Sequence, residues 1–146
     1  MTIKDLLRLE LGETVSVFNK PFLYNGKARI TLDNETKLYW YFDDEDGMLA
    51  IAPEEEELLL FTQIDEELEP DEVVLFQNKE YEFTYEDAGV VAETDGETII
   101  EEGDRYLFSD YQSADGELIR LVSNENTGET IGYVGRIVSE DDLTEL

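Results

Sequence analysis

The sequence predicts an all-β fold: an antiparallel β-sandwich or a partly open barrel of successive hairpins, with a short N-terminal helix. Two observations carry that expectation. Tight-turn dipeptides recur at Asn25-Gly26, Asp46-Gly47, Asp95-Gly96 and Asp115-Gly116, with Thr127-Gly128 a weaker fifth, and such pairs tolerate the positive φ of short hairpin turns. The runs between them are rich in aromatic and β-branched residues and follow one another too closely for the crossover helices of parallel units.

The elements follow in order. Over 1–12, Thr2 is placed to cap a helix whose Ile3, Leu6, Leu7 and Leu11 share a face. The β region, 13–138, starts with strands at 14–18 and 27–32. "KLYWYF" then sets Leu38, Trp40 and Phe42 against Tyr39 and Tyr41, which predicts a central strand covered on both faces. Strands at 48–52 and 57–63 come next, joined by "PEEE", although Leu58, Phe61, Asp65 and Leu68 leave a helix open for the second, and the acids that follow form a solvated linker ending at Pro70. After a strand at 72–76, "KEYEFTYE" alternates Tyr81, Phe83 and Tyr85 against Glu80, Glu82 and Glu86, the period of a half-buried antiparallel strand. Further strands are expected at 89–94, 97–101, 104–111, 117–123 and 129–138. Ser139 with its following acids marks a tail or short helix over 139–146. The whole chain, 1–146, reads as a single domain.

Composition narrows the chemistry. The 146 residues carry 38 acids against 10 bases, a formal charge of −28. Such charge raises the question of disorder. Eight tyrosines, seven phenylalanines and one tryptophan, spread along a 41% hydrophobic chain, answer it in favour of a folded acidic domain. Histidine and cysteine are absent, which excludes disulfides, His-based acid/base catalysis, Ser-His-Asp and Cys-His nucleophiles and Cys/His zinc sites. No apolar run reaches spanning length, so no membrane insertion is expected and the cytoplasm is the expected compartment.

Three features invite chemical readings. "FDDEDG" at 42–47 crowds carboxylates before a glycine, but alignment with a calcium loop puts Phe42 at the first ligand position and Pro53 where the bidentate glutamate belongs. An acidic hairpin turn is the better reading of 43–46, and no metal or cofactor site is assigned. Arg105, Arg120 and Arg136 fall in successive strands and could form an anion cluster, although neutralising cross-strand acids is the commoner role. No two acids stand out as a catalytic pair, so no catalytic residue is assigned either. Gly-rich phosphate loops and basic patches are absent, which disfavours direct nucleic-acid binding and identifies no small molecule.

Two pairs of segments are alike: "VFNKPF" at 17–22 with "FQNKEY" at 76–81, and "YWYFDDEDGMLAI" with "FSDYQSADGELIR". The second pair is offset by 69 residues and the first by 59, so two similar halves would require an insertion between them. Convergent hairpin sequence is the alternative, and both stand open.

Over about residues 15–138, the chain resembles the bacterial domain-of-unknown-function family DUF4178. The likeness lies in the order of an aromatic strand with Trp40, an acidic turn, an N-K-x-Y hairpin, Gly96-Glu97, Asp110-Tyr111 and a late Tyr133-x-Gly135. Leu121, Val122 and Ser123 stand where that pattern has a glutamate. The resemblance implies a small β-rich protein without assigned activity, often encoded near membrane-stress proteins of the phage-shock type. It provides no catalytic residues.

The expected function is therefore a non-enzymatic interaction or accessory module with a protein partner bearing a basic surface. Between Lys37 and Lys79 lie 14 acids and no base, a concentration that favours a surface over a uniform skin. An acidic mimic of nucleic acid and a carboxylate-dependent hydrolase are the alternatives, and charge that merely solubilises is the plainest reading.

Overall fold

The computed structural model describes residues 1–145. Its helix α1, Ile3–Leu7, begins with a reciprocal cap in which the Thr2 hydroxyl accepts the Asp5 N–H and the Asp5 carboxylate accepts the Thr2 N–H. Five residues cannot hold a helix in isolation. Packing of the fully buried Leu6 beneath the small sheet holds it here.

The described strands are β1 (Thr14–Val17), β2 (Lys20–Leu23), β3 (Gly26–Leu32), β4 (Lys37–Phe42), β5 (Gly47–Ala52), β6 (Glu57–Ile64), β7 (Val73–Phe76), β8 (Lys79–Gly96), β9 (Arg105–Gln112), β10 (Leu118–Asn124), β11 (Thr130–Ile137) and β12 (Leu143–Glu145). Hydrogen bonding runs β3-β4-β5-β6-β11-β10-β9-β8, and β3 pairs back onto β8, so the barrel is closed and antiparallel. β7 continues beyond β8 as a free edge. A separate sheet, β12-β1-β2, lies with α1 over the outside of the barrel.

Alternation decides which residues fill which layer. Leu38, Trp40 and Phe42 point into the barrel with Phe61, Phe108 and Tyr133, while Tyr39 and Tyr41 point out beneath the small sheet. The double covering that "KLYWYF" predicts is therefore present, and Trp40 is 1% exposed. A third apolar cluster joins Val74, Phe76 and Tyr81 to Tyr111, Ile119 and Leu121 on the opposite outer face.

The barrel order has an internal symmetry. From the β3–β8 seam it reads β3, β4, β5, β6 one way and β8, β9, β10, β11 the other, so two four-strand meanders meet at two antiparallel seams, β3–β8 and β6–β11. Each meander is preceded by the same two-residue turn: Phe18 and Asn19 have φ of 51° and 63°, Gln77 and Asn78 of 50° and 62°. These are the positive-φ pairs of a type I′ hairpin. In the first half the hairpin ends at Leu23 and the chain crosses to the barrel at Asn25-Gly26, whereas in the second it runs on without a break as the 18-residue β8. That longer strand, and a 97–104 connection in place of 33–36, take up nine of the ten residues by which the two offsets differ.

Several sequence expectations change. The strands expected at 79–86 and 89–94 are one, because the strand absorbs an irregularity between Phe83 and Tyr85 without turning. The anticipated buried face holds only at Tyr81: Phe83, just before the irregularity, and Tyr85, just beyond it, are both exposed. Residues 97–101 form no strand: Asp95-Gly96 ends β8, and Glu97 N–H donates to the Asn25 carbonyl. β2 and β12 are additional strands. The predicted cap at Ser139 is present, but it opens a single 3-10 turn, Glu140–Asp142, before β12. No helix among the described residues is long and apolar enough to cross a membrane.

Candidate functional site

The β6–β11 seam forms the floor of a cleft of about 750 Å³. Leu60 and Thr62 from β6 and Val134, Gly135 and Arg136 from β11 line the floor, and Phe18, Pro21 and Phe22 of the β1–β2 hairpin form a wall. The rims are the turns that join β4 to β5 and β9 to β10, which the internal symmetry places on either side of the seam. Gly135 is required where the two strands meet, since a Cβ there would lie 1.9 Å from the Leu60 carbonyl oxygen. The Arg136 guanidinium sits 3.8 Å from the Phe18 ring centroid, a cation–π contact that holds one positive charge at the wall.

The rims are equivalent in place and different in charge. In the first, Asp43 Oδ1 accepts the N–H groups of Glu45 at 2.9 Å and Gly47 at 2.6 Å, which closes the turn from inside. Asp44, Glu45 and Asp46 project from it into solvent. The sequence thus finds an acidic turn at 43–46, and the turn's own backbone is what Asp43 coordinates. Among the described residues, no group of three or more acids is arranged to hold a metal ion.

In the second rim, the Ser113 hydroxyl donates to Asp115, and Lys79 Nζ lies 3.0 Å from Asp115 and 3.3 Å from Glu117. Tyr81 donates its hydroxyl to Glu117 at 2.7 Å. The Ser113 hydrogen bond, and then the Lys79 ammonium, hold the Asp115 carboxyl down to about 2. Burial, reinforced by Glu117, pushes the Tyr81 phenol above its ordinary range. One rim is thus acidic and has no ion pair among the described residues, while in the other Lys79 neutralises part of the charge.

The three arginines do not assemble. Arg105 binds Asp33 through both terminal nitrogens at 2.6 Å and reaches Glu125 at 2.7 Å. Arg120 is buried inside the barrel against Asp110, its cross-strand neighbour. Arg136 alone of the three reaches the cleft. Neutralisation of acids, the commoner role, is what Arg105 and Arg120 perform.

Sequence reasoning names the acidic turn and Arg136 but misses the apolar floor and the hairpin wall. The likeness of the two turns, 69 residues apart, was the available signal, because symmetry-related turns must flank a common seam. Chemically the site is an apolar groove with carboxylates at its two rims and the cations Lys20 and Arg136 on the side of the hairpin wall, suited to a segment that offers an apolar side chain and a cation directed at the first rim.

Residues 10–140 match the family model described as Domain of unknown function (DUF4178). No curated protein and no solved structure matches the chain.

Proposed function

Because the chain belongs to the DUF4178 family, whose description names no activity, we propose from its geometry that it is a non-enzymatic interaction module whose cleft receives a basic, partly apolar segment of a protein partner. The observation that carries this reading is the apolar lining of Leu60, Val134 and Phe18 beside the acidic turn that brings Glu45 to the cleft, in a protein of net charge −28. A field of that sign steers a basic partner into encounter, and the apolar contact then slows its departure. The carboxylates nearest the floor are engaged in turn geometry, Asp43 by backbone N–H groups and Asp115 by Ser113 and Lys79, which supports a binding role over hydrolysis. The resemblance of the sequence adds the setting: a cytoplasmic accessory to a membrane-stress system.

Capture from a lysate at low salt tests the reading. The expected result is a basic protein that is retained by the wild type, released as salt rises, and lost from the Asp44→Lys/Glu45→Lys variant with its fold intact by circular dichroism. Equal retention by the variant overturns it. Displacement of the captured protein by duplex DNA would favour nucleic-acid mimicry instead.

A further inference from the structure

β7 is the edge that the barrel leaves open. Phe76 and Lys79 flank the two-residue turn as a bonded pair, and Phe83 N–H donates to the Glu72 carbonyl at 3.0 Å, so residues 72, 74 and 76 bond inward to β8. The N–H and C=O groups of Val73 and Leu75 therefore point outward, and among the described residues no strand pairs with them. Leu75 is 64% exposed. An edge of this kind is a template for an added strand.

The first half of the protein shows how the equivalent edge is covered. β1 stands to β2 as β7 stands to β8, and the offset of 59 places Ser16 on Leu75, Val17 on Phe76 and Phe22 on Tyr81. On β1 that edge carries β12: Thr144 lies opposite Ser16, Leu143 opposite Val17, and the Phe18 N–H donates to the Asp142 carbonyl at 3.0 Å. Ser16 is 6% exposed as a result, and Leu143 is 1% exposed.

We propose that β7 accepts an antiparallel strand from a protein partner at the place corresponding to β12, and that this strand alternates apolar and basic residues. The proposal rests on the interaction-module reading and gives it a second, separate surface. An apolar residue would stand opposite Phe76, as Leu143 stands opposite Val17. Its neighbours in the added strand then share the face of Leu75 and Val73, whose cross-strand partners are Glu80 and Glu82. Charge selects what those neighbours are: residues 65–82 carry eight acids and one base, Lys79, which Asp115 and Glu117 already hold. A second copy of the chain would oppose these acids with its own, so self-pairing through β7 is disfavoured.

The test uses a labelled ten-residue peptide of alternating Val and Lys, with the Glu-for-Lys peptide as control. Fluorescence anisotropy should show saturable binding of the first and at least tenfold weaker binding of the second. Placed like Thr144, the Lys residues opposite Leu75 supply the ladder hydrogen bonds, so N-methylation at Lys should abolish binding and N-methylation at Val should not. Leu75→Pro removes an outward N–H while leaving the β7–β8 bonds in place, and should weaken binding at least tenfold. The cleft variant Asp44→Lys/Glu45→Lys should bind within twofold of wild type. If Leu75→Pro fails to fold, the N-methyl pair still decides the matter on the native protein. Absence of saturable binding, indifference to N-methylation at Lys, or dimerisation through β7 in sedimentation overturns the proposal. Exchange protection at 17–22 and 134–136 in place of 73–77 also overturns it, while leaving the cleft reading intact.

Discussion

Arg120 faces Asp110 across β9 and β10 inside the barrel, with Nε 2.7 Å from Oδ1 and an Nη 2.8 Å from Oδ2. At the same distance from the turn in the other half, β4 and β5 place Trp40 opposite Ala50. The guanidinium lies 5.7 Å from the Trp40 ring centroid and 4.9 Å from that of Phe108. Two equivalent cross-strand pairs, one ionic and one large with small, thus fill the same part of the core.

The ion pair should be costly to break singly and cheap to replace whole. Arg120→Ala leaves the Asp110 carboxylate without its partner in an apolar barrel and should destabilise by about 3–5 kcal/mol. Arg120→Met with Asp110→Leu should recover most of that loss. Urea denaturation followed by emission of Trp40, the sole tryptophan, measures both. A double variant as unstable as the single one would contradict the account.

Closure of the barrel depends on glycine at its first seam. A Cβ on Gly26 would lie 1.8 Å from the Glu97 carbonyl oxygen. Gly26→Ala should therefore cost about 1–3 kcal/mol, the range for forced overpacking, and hydrogen exchange should quicken first at β3 and β8. Uniform loss of protection across the barrel would argue against a local seam effect.

Phe18 is strained where it stands, since its φ of 51° is left-handed backbone. That conformation costs an ordinary residue about 1–2 kcal/mol, and asparagine less. Phe18→Asn should keep the melting temperature or raise it while weakening capture of the basic partner, because the ring and its Arg136 contact leave the cleft wall. A fall in both together would assign Phe18 to stability alone.

Asp115 predicts an acid limb. Its folded-state pKa, about 2, lies below the ordinary 3.8, so its contribution is complete above pH 3.8 and disappears as pH falls toward 2. Ser113→Ala removes the largest cause of that shift. Melting temperatures of the two proteins should differ most above pH 4 and converge near pH 2, and a constant difference would remove Asp115 from the explanation.

Legibility in the sequence follows locality. The β4 strand, the Asp46-Gly47 and Asp115-Gly116 hairpins and the Thr2 cap are written within a few residues, and each is found where the pattern puts it. β2 escapes notice because four residues containing Pro21 carry too little alternation, and β12 because three residues carry none. Closure is invisible for another reason: the β3–β8 seam joins residues as far apart as Gly26 and Gly96, and no local pattern encodes that meeting. The cleft shares this limit, being assembled from two hairpin turns, a third hairpin and a seam.

β12 also orders events in time. During synthesis β1 is made more than a hundred residues before the strand that covers its outer edge, so the nascent chain carries two open edges, at β1 and at β7, until β12 emerges. Translation itself then sets how long the N-terminal sheet is vulnerable to wrong pairing. A chain that stops short of residue 143 would hold every barrel strand and a first hairpin that still lacks its cover.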